Sequence, residues 1–143
     1  SRSAQAPPRN THPILDKIIN QSAGPSTEDI LYTHAAGLIT TCVSGMELTT
    51  GPRSAGGALK NYLTPLEAYF CADVFKAAAG LRLDQALEIV NYCLGHYEEH
   101  VADQPKGQSY YECYDRATGK PSAQWEEIDA RVRTDLRRFG LSL

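Results

Sequence analysis

The order of elements along this chain predicts a parallel α/β fold. Three observations carry that reading: two short β-branched segments, a helical pattern following each of them, and a glycine-proline break between each segment and its helix. The 143 residues hold 14 Lys and Arg against 17 Asp and Glu, a net charge of −3. That balance excludes a nucleic-acid binder working by bulk positive charge. No run approaches the ~20 apolar residues that span a bilayer, so no membrane role is expected.

Ser1–Pro13 is polar and proline-rich and reads as an irregular arm. Ile14–Asn20 is short and β-branched, which favours a strand, and Gly24-Pro25 interrupts the chain just beyond it. Ser26-Thr27-Glu28-Asp29 supplies capping hydroxyls and first-turn acids, so a helix is expected from Thr27 to Cys42. Ile30, Leu31, His34, Leu38 and Thr41 lie near one of its faces. Gly45 stops that helix, Met46–Thr50 forms a second short strand, and Gly51–Gly57 follows as a flexible loop. Thr64-Pro65-Leu66-Glu67 opens the next helix, with an N-cap hydroxyl, proline at N1 and an acid at N3. That helix ends at Gly80. Leu83, Leu87, Val90, Leu94 and Tyr97 repeat at helical spacing and predict an amphipathic helix buried on that side. Asp103–Gly119 is polar and irregular. Pro121-Ser122 then starts a last helix with the stripe Trp125, Ile128, Val132, Leu136 and Phe139.

Two parallel strands do not make a stable sheet alone, because such sheets carry more strands and are covered on both faces. The chain is therefore expected to be a piece of something larger. Its sole methionine, Met46, agrees with a start inside a longer chain. Removal of an initiator methionine ahead of Ser1 remains the other reading.

Loops that follow parallel strands are where α/β proteins place their sites, which selects two segments. Asn20-Gln21-Ser22 lies just past the first strand, where carboxamides orient polar ligands by paired donor and acceptor contacts. Side chain–backbone bonds closing a turn are the structural alternative. Gly51-Pro52-Arg53-Ser54-Ala55-Gly56-Gly57 follows the second strand, with Arg53 and backbone N–H groups as anion donors. It lacks the order of a Walker A loop and of G-x-G-x-x-G. Glu47 lies in the short second strand and points either inward or toward a helix.

His96-Tyr97-Glu98-Glu99-His100 matches H-x-x-E-H and sets two imidazoles one turn apart. No pattern singles out a third zinc ligand. Histidines pairing with acids at a helix C-terminus are the expected reading, and no metal site is assigned. Cys42, Cys71, Cys93 and Cys113 form no C-x-x-C pair, and a reduced, cytoplasmic chain is expected. Arg131, Arg133, Arg137 and Arg138 read as a solvated face of the last helix.

Arg9-Asn10-Thr11-His12-Pro13, Ala23-Gly24-Pro25-Ser26-Thr27-Glu28, Thr64-Pro65-Leu66-Glu67, Ala77-Ala78-Ala79-Gly80 and Tyr111-Glu112-Cys113-Tyr114-Asp115 occur in this order. Together they resemble the C-terminal part of the monomethylamine methyltransferases, (β/α)8 TIM-barrel enzymes about three times as long. The resemblance implies that Ile14–Asn20 and Met46–Thr50 are the seventh and eighth barrel strands. The chain would then hold the last two βα units and a helical C-terminal extension, incomplete when isolated. Residues 1–102 would be barrel and 103–143 the extension.

The family moves a methyl group from methylamine to the cobalt of a separate corrinoid protein. The resemblance therefore implies no cofactor bound directly, a corrinoid-carrying partner, a methylamine-type substrate and a homo-oligomer. The pyrrolysine of archaeal members, and the family's catalytic glutamates, lie upstream of the matching region. The family's active-site glutamine falls on Gln21. Asn20, Ser22 and Glu47 are the expected substrate-binding neighbours. Ser22 replaces a bulkier pocket residue, which implies a pocket of different size. Gly51, Arg53, Gly56 and Gly57 would shape the mouth where the corrinoid protein docks. The alternative is a non-catalytic chain, either a split subunit or a truncated product that binds a partner through its open edge.

Overall fold

The computed structural model describes residues 14–143, so the Ser1–Pro13 arm and its Arg9–Pro13 motif lie outside the described residues. Strand β1 (Asp16–Asn20) leads into helix α1 (Glu28–Val43), then β2 (Leu48–Arg53) and a 3-10 turn at Ser54–Gly57. Helices α2 (Pro65–Ala77) and α3 (Leu83–Tyr97) come next. A 3-10 segment, Glu98–Asp103, precedes the short α4 (Tyr110–Cys113) and the last helix, α5 (Ala123–Arg137).

The α/β class holds. Strands β1 and β2 pair in parallel, with Asp16 opposite Leu48, Ile18 opposite Thr50, and Asn20 opposite Arg53. β2 spends one extra residue over the last interval, a bulge at Gly51-Pro52. Proline is tolerated there because a bulge releases its position from the ladder. Gly51 takes φ 145°, a value open to glycine and hardly to other residues.

This corrects the flexible loop expected over Gly51–Gly57. Gly-Pro is ordinary loop punctuation, yet here pairing with β1 carries the strand through Arg53. The turn beyond is stitched to the end of β1: Ala55 N donates to Ala23 O at 2.7 Å, and Gly56 N donates to Gln21 O at 2.5 Å.

One face of the strand pair rests on the helices, where Ile19 meets α1 at Gly37. A Cβ on Gly37 would lie 2.8 Å from Ile19 Cγ2. The other face, with Asp16, Ile18, Asn20, Leu48 and Thr50, is exposed. Helix α1 lies at the centre of the protein, packed against α2, α3 and α5. Ile30, Leu31, His34, Leu38 and Thr41, grouped near one face by the sequence, are all buried, and so are Tyr32, Ala35, Ala36 and Ile39. A helix buried all round is a core helix, not an amphipathic surface one.

Helix α3 has the expected ends and part of the expected face, with Tyr97 buried and Val90 and Leu94 packed against the core. It buries Ala86, Ile89, Cys93 and Tyr97, while Leu83 and Leu87 remain more than half exposed. The small Ala86 and Cys93 allow close approach to α1, and the bulkier Leu83 and Leu87 are displaced outward.

Asp103–Gly119 is also more ordered than expected. Ser109 and Glu112 form a capping box around α4, and Tyr114 and Pro121 make an isolated antiparallel bridge. Residues beyond 103 share the core of the rest: Trp125, Val132 and Leu136 are buried, and Trp125 Nε1 donates to Thr64 Oγ1 at 3.2 Å. On α5, Arg133 is not simply solvated. It spans Asp129 and Asp73 at 2.9 Å each, over the ring of Phe70.

Ser122 caps α5 by accepting from Trp125 N at 3.2 Å. Replacing it with alanine is expected to cost about 1 kcal/mol in a urea titration. An unchanged midpoint would mean that Trp125 packing alone fixes the start of this helix. No helix among the described residues is long and apolar enough to cross a membrane.

Candidate functional site

In a parallel pair both C-terminal strand ends open at the same place, and here that place is built from Gln21 and Arg53-Ser54. Gln21 directly follows β1 and is almost fully buried at 2% exposure. Its N–H donates to Arg53 O at 3.3 Å, its carbonyl accepts from Gly56, and its side-chain Nε2 lies 3.0 Å from His34 Nδ1. Helix α1 positions that imidazole by running back across β1, as a βα unit requires.

His34 has no exposed surface, and burial pushes its pKa down to about 3. It is therefore neutral at physiological pH. With the amide nitrogen facing Nδ1, acceptance at Nδ1 goes with a ring proton on Nε2. Nε2 has no partner among the described residues.

The end of β2 is held in a similar way. Ser54 Oγ donates to Glu67 Oε1 at 2.5 Å, and Thr64 N donates to the same oxygen at 3.1 Å. Glu67, placed at N3 of α2 by the Thr64-Pro65 cap, thus holds its helix start and the turn after β2 together. Its Oε2 is buried without a partner among the described residues. Burial raises the Glu67 pKa to about 7, against the opposing effect of the Ser54 and Thr64 hydrogen bonds. Burial likewise pushes the nearby Cys71 and Cys113 thiols up, so both stay protonated.

A segment distant in sequence closes this end. Gly24 N donates to Pro105 O at 3.0 Å, Gln108 N donates to Pro25 O at 2.9 Å, and Lys106 Nζ reaches Ser22 O at 3.3 Å. The rim is cationic, with Arg53 and Lys106 both exposed. The Arg53 guanidinium extends over Gly57, where a Cβ would sit 3.0 Å from Nη2.

Of the residues selected from the sequence, the structure brings Asn20, Gln21, Ser22, Gly51, Arg53, Gly56 and Gly57 to one end of the strand pair. Asn20 and Ser22 are exposed beside the buried Gln21. Glu47 is not among them. It precedes β2, is exposed, and accepts from Leu15 N at 3.0 Å, at the opposite end of the strands. His96 and His100 also part company: His96 stacks on Tyr32 at 3.8 Å, and His100 Nε2 lies 2.6 Å from Asp29 Oδ2. His100 thus pairs across to α1, not with an acid of its own helix.

Sequence reasoning missed His34, Ser54, Glu67 and Lys106 as site residues. His34 was visible as the one imidazole on the apolar face of α1. Glu67 was visible only as a cap, Ser54 only as part of the Gly51–Gly57 loop with no role of its own, and nothing local marked Lys106.

These features define a βα-type protein with its candidate site at the C-terminal ends of parallel strands. The family model described as monomethylamine methyltransferase MtmB matches residues 1–141, and the chain belongs to that family. The monomethylamine methyltransferase MtmB of Methanosarcina mazei is 33% identical over 119 residues, covering 83% of this chain and 26% of its own length. MtmB2 of Methanosarcina acetivorans is 34% identical over the same length. The crystal structure of the Methanosarcina barkeri enzyme superposes with a TM-score of 0.87 at 30% identity, covering 94% of this chain and 30% of that one. A crystal structure of the hydroxylamine MtmB complex gives 0.88. The chain therefore spans about a quarter of the length of the curated relatives it matches.

Proposed function

We propose that this chain forms the last two βα units and the C-terminal extension of a TIM-barrel methyltransferase. The reaction moves a methyl group from monomethylamine, or a related methylated amine, to the cobalt of a corrinoid protein. The observation that carries this reading is the placement of Gln21 at the joined C-terminal ends of β1 and β2, where barrels build their sites. The exposed second face of the strand pair, and a match to under a third of a solved relative, support the view that more barrel belongs beside it.

Within that reading the chain binds and orients. Gln21 hydrogen-bonds the amine nitrogen or the group that holds it, with Asn20 and Ser22 bordering the pocket. Arg53 and the turn through Gly56 and Gly57 form the rim on which the partner protein rests. A corrinoid carried by that partner supplies the cobalt that accepts the methyl group. An amine methyl is a poor electrophile, so activation at nitrogen must come from residues outside this chain. Assembly as a homo-oligomer and a cytoplasmic location belong to the same proposal.

The test is methyl transfer from labelled monomethylamine by the polypeptide as encoded, upstream frame included, to a corrinoid protein. Gln21→Ala is expected to lower kcat/KM about tenfold or more, the size of a lost polar contact. Transfer unaffected by the substitution would remove Gln21 from the site. A stop codon directly upstream, with no barrel sequence before it, would overturn the barrel reading in favour of a non-catalytic chain.

A further inference from the structure

We propose that His34 is a positioning residue: its Nδ1 accepts the Gln21 Nε2–H and so fixes the carbonyl Oε1 as the end of the amide left for other partners. The inference rests on the functional reading only for the role of Gln21, not for the geometry. Four observations carry it. The two side chains meet at 3.0 Å, and His34 is fully buried. His34 Nε2 lacks a partner among the described residues, so the imidazole makes a single polar contact there, the one to Gln21. Finally, no described donor reaches Gln21 Oε1, yet that oxygen is not among the buried unpartnered atoms, which are Ser26 Oγ, His34 Nε2 and Glu67 Oε2. Oε1 is thus the end of the amide that the described residues leave open.

An amide has two nearly isosteric ends, one donating and one accepting, and a site that uses it must choose between them. A neutral histidine with its proton on Nε2 makes that choice by offering only a lone pair. The imidazole is held by burial against Ile19, Leu38, Pro52 and Cys71, which line the same small void. Because His34 stays uncharged, the choice does not change across the physiological range. What Gln21 presents to a ligand is a hydrogen-bond acceptor. The matching ligand atom carries an N–H or O–H, and fully substituted nitrogen is disfavoured.

The direct test uses long-range 15N–1H imidazole spectra of the full chain, with exchange rates of the Gln21 side-chain amide protons. The expected result is a proton on His34 Nε2, a bare Nδ1, and slowed Gln21 amide exchange. His34→Leu removes the acceptor and should bring that exchange to the rate of an exposed glutamine. His34→Asn places Oδ1 near the Nδ1 position and should restore the slow rate, which a purely packing role would not. A proton on Nδ1 in the wild type overturns the proposal, as does slow exchange retained in the leucine variant.

Methyl transfer by the longer polypeptide gives a second readout. The leucine variant should lose about tenfold in kcat/KM and the asparagine variant largely recover it. Equal activity in all three overturns the positioning role. If even the wild type transfers no methyl group while the spectra are as expected, the positioning stands and the functional reading fails.

Discussion

Gly24→Ala is expected to open the end of β1. A Cβ at this position would lie 1.6 Å from the carbonyl oxygen of Lys106 and 2.6 Å from its carbonyl carbon. Both are backbone atoms, so no rotamer change relieves the overlap. The contact is reciprocal, since a Cβ on Gly107 would lie 2.0 Å from Pro25 O, at a residue whose φ is 67°. Moving the segments apart breaks the Gly24–Pro105 and Gln108–Pro25 hydrogen bonds, each contributing about 1 kcal/mol, and adds the strain of an overpacked contact. The expected loss is about 3 kcal/mol or more by denaturant titration, for Gly24→Ala and for Gly107→Ala alike. Because both substitutions break one contact, the double variant should fall well short of the sum. A loss of under about 1 kcal/mol in Gly24→Ala would mean that the two segments separate freely and do not clamp the site.

The second large effect is a pH profile set by two buried groups pulling in opposite directions. Glu67 is raised from 4.5 to about 7 on folding, so its protonated form is the one the fold prefers. Its contribution is complete below pH 4.5 and is lost as pH rises through 7, a difference of about 3 kcal/mol by linkage. His34 is lowered from 6.5 to about 3, so its neutral form is preferred. Its contribution is complete above pH 6.5 and is lost as pH falls toward 3, by about 5 kcal/mol. Between pH 4.5 and 6.5 the slopes cancel, and stability should be flat across that window and fall on either side. Glu67→Gln keeps an acceptor for Ser54 and Thr64 while removing the charge. It should convert the flat region into a rise with pH. His34→Asn should convert it into a fall. Urea midpoints from pH 4 to 8.5 decide the matter, and a wild-type profile that both variants leave unchanged would refute it.

Much of the architecture was legible because it rests on local chemistry. Thr64-Pro65 and Glu67 announced the start of α2, Ser122 that of α5, and the stripe from Trp125 to Leu136 its buried face. The errors arose where tertiary packing overrode local signals. Gly51-Pro52 reads as a loop until a neighbouring strand supplies partners for the backbone around it. Leu83 and Leu87 outrank Ala86 and Cys93 in hydrophobicity, yet the smaller pair won the interface because α1 approaches closely there. Ser109-x-x-Glu112 carried a helix-start signal that the polar surroundings hid. At the candidate site, Gln21 was accessible through its place after a strand. Its connection to His34, and that of Ser54 to Glu67, each span 13 residues and exist only once a helix has folded back.

The closure of Gly24 by Lys106 also sets an order in time. A chain made from its N-terminus presents the end of β1 long before the segment that clamps it has been synthesised. At ribosomal rates of roughly 5–20 residues per second, that delay is about 4–16 s. Throughout it the turn after β1 lacks its covering backbone, and Ser22 lacks its lysine. Any nascent or prematurely terminated product ending before Pro105 would hold both strands and three helices but an unfinished strand end. Completion of the candidate site thus reports that translation has passed residue 108.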